Sequence, residues 1–172
     1  KHTKKQKELE NEKQKQKEYQ QEIKKLEETA KELESLITKL LKKSDQKRSY
    51  RGNTSRYNEV INQFGHIKKP VQGQIILKYG KNKHPYYDAF HISNGIEIKT
   101  KHNENVQAIE GGKIVFCNDF SNYGKTIIID HGKGAYSVYA YLSDILVKNN
   151  EQITKRQVIG NSGVSNYTKE NA

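Results

Sequence analysis

The feature that most limits how this chain folds is a long run without glycine or proline, from Leu9 to Leu41. Within it, apolar residues follow one another at alternating spacings of four and three positions. The series consists of Tyr19, Ile23, Leu26, Ala30, Leu33, Ile37 and Leu40. This heptad spacing lines one stripe of a single helix, which predicts a coiled coil or a docking helix over residues 1–46.

The apolar stripe of the predicted helix is wider near its C-terminal end than elsewhere. Leu36 and Leu41 widen the stripe beside Leu40, as expected if a second surface packs there. Residues 47–69 are mostly polar and contain Gly52, which predicts a linker. A short helix is expected inside it, over residues 59–64. A separate domain is predicted to begin with Pro70 and to fill residues 70–172.

The pattern of this second domain is one of short strand-like runs separated by turns. The predicted strands cover residues 74–78, 95–100, 105–109, 113–117, 125–130, 136–142 and 158–159. Such regular turn spacing favours an antiparallel β sandwich or barrel. Residues 126–129 are apolar without alternation, so we expect a central strand buried on both faces. The predicted class is therefore α+β, a long helix followed by a mainly antiparallel β domain.

The charge of the chain restricts its partners. The formal net charge is +11, but only four of the 31 basic residues are arginine. Lysine lacks the planar fork with which arginine reads phosphates and bases, and no aromatic–basic stripe appears. We therefore do not expect a nucleic-acid partner, whereas an anionic envelope polymer remains possible as a ligand. Cys117 is the only cysteine, which excludes an internal disulfide and a cysteine-based zinc cluster.

Several segments of the second domain resemble the LytM/M23 metallopeptidases. They are NGIEI at 94–98, VQAIEGGKIV at 106–115, YGKTIIIDHG at 123–132 and YSVYAYLS at 136–143. A late hairpin over residues 147–163 is similar as well, so the resemblance covers about residues 70–165. In that hairpin, Asn150 and Arg156 stand where the family has glycines. Asn150 is a mild change, and Arg156 predicts a reshaped turn.

The resemblance implies a zinc hydrolase whose metal site is broken in this chain. Such enzymes need three protein ligands and a bound water. Two ligands of the family form a His-x-x-x-Asp pair, which aligns with Ser93 and Glu97. A catalytic histidine of the family's Tyr-Ala-His-Leu segment aligns with Tyr141. A His-x-His strand of the family would follow Ala172. We therefore expect no zinc, no other cofactor and no catalytic residue.

Two other histidines need separate interpretations. His91 lies two residues before Ser93 and so on the same strand face, where it is a conceivable substitute ligand. A zinc-dependent peptidoglycan endopeptidase with Glu97 and His91 as atypical ligands thus remains an alternative. His131, in the Asp130-His131-Gly132 turn, is expected to be structural.

An upstream coiled coil joined to a degenerate LytM domain resembles the murein hydrolase activators of the EnvC type. That resemblance implies a periplasmic or envelope protein without peptidase activity, which binds N-acetylmuramoyl-L-alanine amidases through the former active-site groove and activates them during cell division. Its coiled coil would engage an FtsE–FtsX-like membrane complex. The predicted groove residues are Ser93, Glu97, Tyr139, Tyr141, Tyr86 and Tyr87. The candidate restraining elements are Leu36, Leu40 and Leu41, or residues 59–64. A structural coiled-coil protein that binds peptidoglycan is the third hypothesis.

Overall fold

The computed structural model of the protein describes residues 2–45, 67–83 and 90–165. The predicted short helix at 59–64 lies outside these residues, as does most of the predicted linker. Within the described part, no helix is both long enough and apolar enough to cross a membrane.

The predicted N-terminal helix is confirmed as α1, which spans His2–Asp45. Its heptad series is less exposed than the rest of its surface: the side chains of Tyr19, Ile23, Leu33 and Ile37 are half-buried, while most of their neighbours are exposed. A Lys24–Glu28 pair at 4.0 Å lies on the exposed face, where such pairs add little stability. The apolar stripe is therefore present, and its pairing as a coiled coil stays a prediction.

The described part of the β domain contains ten strands, and every paired neighbour is antiparallel. A six-stranded sheet has the order β5-β10-β8-β7-β6-β9, while β1 pairs with β4 and β2 pairs with β3 in two small sheets. The strands are β1 Gln74–Leu77, β2 Gly80–Lys83, β3 Phe90–Ser93, β4 Glu97–Lys99, β5 Asn105–Gln107, β6 Gly112–Asp119, β7 Lys125–Asp130, β8 Tyr136–Ile145, β9 Gln152–Ile153 and β10 Val158–Ser162. The mainly antiparallel β architecture is thus confirmed.

Strand β7 is the centre of the domain, as the unbroken apolar run predicts. It lies between β8 and β6, and Thr126, Ile127, Ile128 and Ile129 all have no exposed surface. Alternate residues of a strand point to opposite faces, so both faces of β7 are covered. The core cluster consists of Val71, Ile98, Val106, Ala108, Ile114, Ile127, Ile129, Tyr139, Leu142, Val147, Ile153 and Ile159.

The entry into the β domain is fixed to the sheet by two long-range hydrogen bonds, which we call the entry clamp. The Gln107 amide donates to the Pro70 carbonyl at 2.8 Å. The Arg156 Nη1 donates to the Lys69 carbonyl at 2.9 Å, across 87 positions of sequence. Val71, which follows directly, packs into the core.

Two residues of the late hairpin adopt the left-handed backbone conformation that glycine favours. Asn150 and Arg156 both have a φ of 69°, in the left-handed region. The expected reshaping of the turn at Arg156 stays a prediction. Its amide donates to the Ala108 carbonyl at 2.9 Å, and its guanidinium holds Lys69. These two bonds offset the cost of about 1–2 kcal/mol that a side chain brings to this conformation.

Candidate functional site

The centre of the candidate site is Tyr141, whose backbone is irregular. Lys125 pairs with Leu142 and Ile127 with Tyr139, so that Ala140 and Tyr141 together oppose the single residue Thr126. This is a β-bulge, and the φ of Tyr141 is 57°. A bulky residue in the left-handed region is rare, and the surrounding structure must hold it there. Bulges of this kind often redirect a side chain next to a functional site.

Gly163, the residue directly after β10, holds the bulge in place. A Cβ atom on Gly163 would lie 2.5 Å from the Tyr141 carbonyl oxygen, 2.8 Å from the Ser143 amide nitrogen and 2.9 Å from the Leu142 carbonyl carbon. All three atoms belong to the backbone, which cannot rotate away as a side chain can. Only glycine therefore permits this close approach.

The side chain of Tyr141 packs on Tyr123 and lies near Glu97. The ring centroids of the two tyrosines are 5.8 Å apart at an interplanar angle of 47°. Burial raises the pKa of the Tyr141 phenol, and the neighbouring Tyr123 hydroxyl and Glu97 carboxylate raise that pKa further. The phenol is therefore neutral throughout the physiological range. We call Glu97, Tyr123 and Tyr141 the Tyr141 site.

The remaining members of the site come from different parts of the domain. Glu97 begins β4, is 7% exposed and pairs with Leu77 of β1. Tyr123 ends a 3-10 turn at Ser121–Tyr123, just before the positive φ of Gly124. The sequence prediction did not include Tyr123. Its position beside Gly124, at the start of the central strand, was the signal available.

Ser93 is engaged within its own turn. Its hydroxyl donates to the Gly95 carbonyl at 2.9 Å and accepts from the Gly95 amide at 3.4 Å. The side chain is half-buried at the end of β3. Zinc sites are built from imidazole, thiolate and carboxylate ligands. A hydroxyl in a turn, a neutral phenol and one carboxylate do not fit that requirement, and the described residues contain no cluster of three His, Cys, Asp or Glu side chains.

Tyr139, predicted to line the groove, belongs to the hydrophobic core instead. It is 7% exposed, and its hydroxyl accepts a hydrogen bond from the Ile109 amide at 2.9 Å. The Ser137 hydroxyl bonds to the same oxygen at 3.1 Å. Because the side chain is almost fully buried and both of its hydrogen-bond partners belong to the same domain, Tyr139 offers almost no surface to another protein. We therefore assign it a structural role.

His131 extends this internal chain of hydrogen bonds, which confirms its predicted structural role. Its Nδ1 lies 2.7 Å from the Gly111 carbonyl oxygen, and its Nε2 lies 2.8 Å from the Ser137 hydroxyl. A carbonyl only accepts, so Nδ1 carries the proton. The ring thereby joins the turn before β6 to β8.

The other predicted residues are only partly described. Tyr86 and Tyr87 lie outside the described residues, as do the side chains of His91 and Leu41. Leu36 and Leu40 are half-buried on α1. Of the predicted groove residues, the structure thus brings together Glu97 and Tyr141.

Comparison with known proteins shows which family and which proteins the β domain resembles. Residues 91–172 match the sequence profile of Peptidase family M23. The murein hydrolase activator EnvC of Escherichia coli (strain K12) is 28% identical over 97 residues, which cover 55% of this chain and 22% of EnvC. The protein NlpD/LppB homolog of Buchnera aphidicola subsp. Acyrthosiphon pisum is 36% identical over 93 residues, which cover 51% of this chain and 27% of that protein.

Solved structures agree on the fold. The SpoIIQ–SpoIIIAH pore forming complex contains a chain that superposes with a TM-score of 0.54 at 22% identity, over 62% of this chain and 79% of that one. The chain spans only about a quarter of the length of the two curated relatives above. The likeness therefore concerns one domain. Residues 91–172 are similar to Peptidase family M23.

Proposed function

We propose that this M23 domain is not a peptidase and that it binds and activates an N-acetylmuramoyl-L-alanine amidase during wall splitting at cell division. The observation that carries the proposal is Tyr141, a neutral and packed phenol in the segment where the family has a catalytic histidine. Similarity to EnvC, which is named as a murein hydrolase activator, supports it.

The chemistry of the site favours binding over hydrolysis. A general base must accept a proton near neutral pH, which imidazole does and phenol does not. Burial, together with the nearby Tyr123 hydroxyl and Glu97 carboxylate, raises the pKa of the Tyr141 phenol still further above that range. With Ser93 bonded to Gly95, the two positions where the family has histidines hold hydroxyl groups.

The same residues are well suited to contact a protein. Tyrosine combines a large apolar ring with a hydroxyl group and is enriched among the residues that dominate binding energy. Tyr141 and Tyr123 form an aromatic pair, and the buried Glu97 carboxylate lies near Tyr141 and leaves the contact surface to the two rings. We infer that this pair is the anchor for the amidase.

The proposal predicts that Tyr141→Ala weakens amidase binding about 10-fold or more, as expected for loss of an interface anchor. The experiment measures binding of the purified chain to an amidase from the same genome by calorimetry, and amidase activity by dye release from labelled peptidoglycan. Leu146→Ala, at an exposed position just after β8, serves as the control. Stoichiometric zinc by elemental analysis, together with wall degradation in the absence of amidase, would establish the endopeptidase alternative instead.

A restraint on the site is a second part of the proposal. The widened stripe at Leu36, Leu40 and Leu41, followed by a short linker, motivates it. Deletion of residues 36–64 is expected to increase amidase binding, because an element that competes for the groove is removed. Calorimetry on the deleted and complete chains tests this, and equal affinities would remove the restraint from the proposal.

The stripe of α1 has a further proposed partner. We propose that it engages an FtsE–FtsX-like membrane complex at the cell envelope, a role supported by the half-buried heptad residues Tyr19, Ile23, Leu33 and Ile37. If the chain were instead a structural wall-binding protein, it would sediment with purified peptidoglycan and leave amidase activity unchanged.

A further inference from the structure

The β2–β3 hairpin exposes large apolar side chains on one of its faces. Phe90 is 57% exposed and Ile92 is 79% exposed. Their antiparallel partners are Lys83 and Lys81. Residues directly opposite one another share a face, so this face carries two large apolar side chains and two lysines.

The opposite face of the hairpin carries its polar residues. Asn82 and Ser93 are half-buried there. Two large apolar side chains thus lie on the outer face and two polar ones on the inner face, the reverse of the usual pattern for a sheet with one solvated face. Isolated exposed apolar residues need no explanation, but this alternation places two of them side by side.

Large apolar side chains next to the hairpin in sequence are exposed as well. Tyr79, just before β2, is 75% exposed, and Ile96, just before β4, is 52% exposed. We call Lys81, Lys83, Phe90 and Ile92, which share one face of the hairpin, the hairpin patch. Clusters of exposed apolar residues bordered by charge are typical of surfaces that another molecule covers.

Local contacts order the hairpin patch. The Asn82 side chain donates to the Lys78 and Gly80 carbonyls, at 2.6 and 2.9 Å, and accepts from the Lys78 amide at 3.2 Å. The Lys81 ammonium lies 4.2 Å from the centroid of the Phe90 ring, a cation–π contact. Groups that are already ordered lose less entropy on binding.

The positive charge of the hairpin favours a partner with an acidic surface. Among the described residues 74–83 and 90–96 there are three lysines and no Asp or Glu. Complementary potentials guide association, so an acidic surface with apolar side chains suits this face. The hairpin is also joined to the candidate site, because Ser93 ends β3 opposite Gly80 and Glu97 follows four residues later.

We propose that the hairpin patch docks an acidic amphipathic segment of the same protein that occupies the Tyr141 site, an inference that rests on the proposed function. The partner then contacts the domain in two places, at the aromatic pair and along the outer face of the hairpin. The second contact supplies selectivity by charge.

The test is calorimetry of the complete chain with the purified amidase. Phe90→Ser together with Ile92→Ser is expected to raise the dissociation constant about 10-fold or more, because two exposed anchors are lost. Leu146→Ser is the matched control, since Leu146 has the same 57% exposure as Phe90. Lys81→Glu with Lys83→Glu is expected to lower the association rate constant about 10-fold at low salt, against Lys113→Glu with Lys148→Glu as control. This charge pair keeps the test valid if the serine variant fails to fold.

The outcomes separate this inference from the proposed function. If Tyr141→Ala weakens binding while the serine and charge variants bind like the wild type, the hairpin inference is wrong and the proposed function stands. If no amidase binds the wild-type chain, the proposed function fails. If the serine variant loses only adsorption to phosphatidylglycerol vesicles and keeps its amidase affinity, the patch faces lipid and the inference is overturned.

Discussion

Replacement of Gly163 by alanine is expected to lower the free energy of unfolding by about 1–3 kcal/mol, the range for a side chain forced into filled space. The added Cβ would press on the backbone of Tyr141, Leu142 and Ser143. Relief of that pressure requires β10 and the bulge to separate. Because the bulge directs Tyr141, amidase binding should weaken in the same variant. Urea unfolding followed by circular dichroism gives the first quantity, and calorimetry gives the second.

Gly95→Ala is the matched control for this experiment. A Cβ at Gly95 meets no atom within 4 Å, and the residue has no positive φ, so its unfolding free energy should change by about 0.5 kcal/mol or less. A Gly163→Ala protein as stable as the wild type would contradict the close approach of β10 to the bulge.

Loss of the Tyr139 side chain should have the largest effect on stability. Tyr139→Ala is expected to cost about 3–5 kcal/mol, as for other large aromatic side chains in a core. Tyr139→Phe should cost about 1–3 kcal/mol, because it removes the hydroxyl that pairs with the Ile109 amide and Ser137. Both values come from urea unfolding.

Tyr141→Ala provides the comparison, two positions along the same strand. Its side chain is half-buried beside Tyr123, so we expect a smaller loss of stability and a larger loss of amidase binding than for Tyr139→Ala. Equal losses of stability from the two alanine variants would show that both tyrosines occupy the same environment.

Much of the fold was predictable, for identifiable reasons. The heptad spacing predicted α1, and the apolar run at 126–129 predicted the buried strand β7. Strand β2 was not predicted because its sequence, Gly-Lys-Asn-Lys, has no apolar alternation. Its pairing with β3 leaves the lysines in solvent and depends on the Asn82 side-chain bonds instead. Strand β9 is only two residues long, too short for any periodic signal.

The two tyrosines of β8 show why the site was harder to predict. In a regular strand, residues two apart share a face, so Tyr139 and Tyr141 looked equivalent. The bulge at Ala140 and Tyr141 breaks that alternation and places Tyr139 and Leu142 together in the core. A bulge depends on the neighbouring strands and on Gly163, which local sequence patterns do not encode. For the same reason, Tyr123 was recognised as part of the site only in three dimensions.

The entry clamp has a mechanical consequence. Tension applied to the chain upstream of Lys69 would reach the domain first through the Arg156–Lys69 and Gln107–Pro70 hydrogen bonds. Those bonds anchor the entry to residues beside β10 and within β5, on the side of the sheet away from β6 and β9. A pulling force on the entry would therefore act on β10. Gly163, which directly follows β10, supports the backbone of Tyr141, so such a force would act beside the residue that we propose binds the amidase.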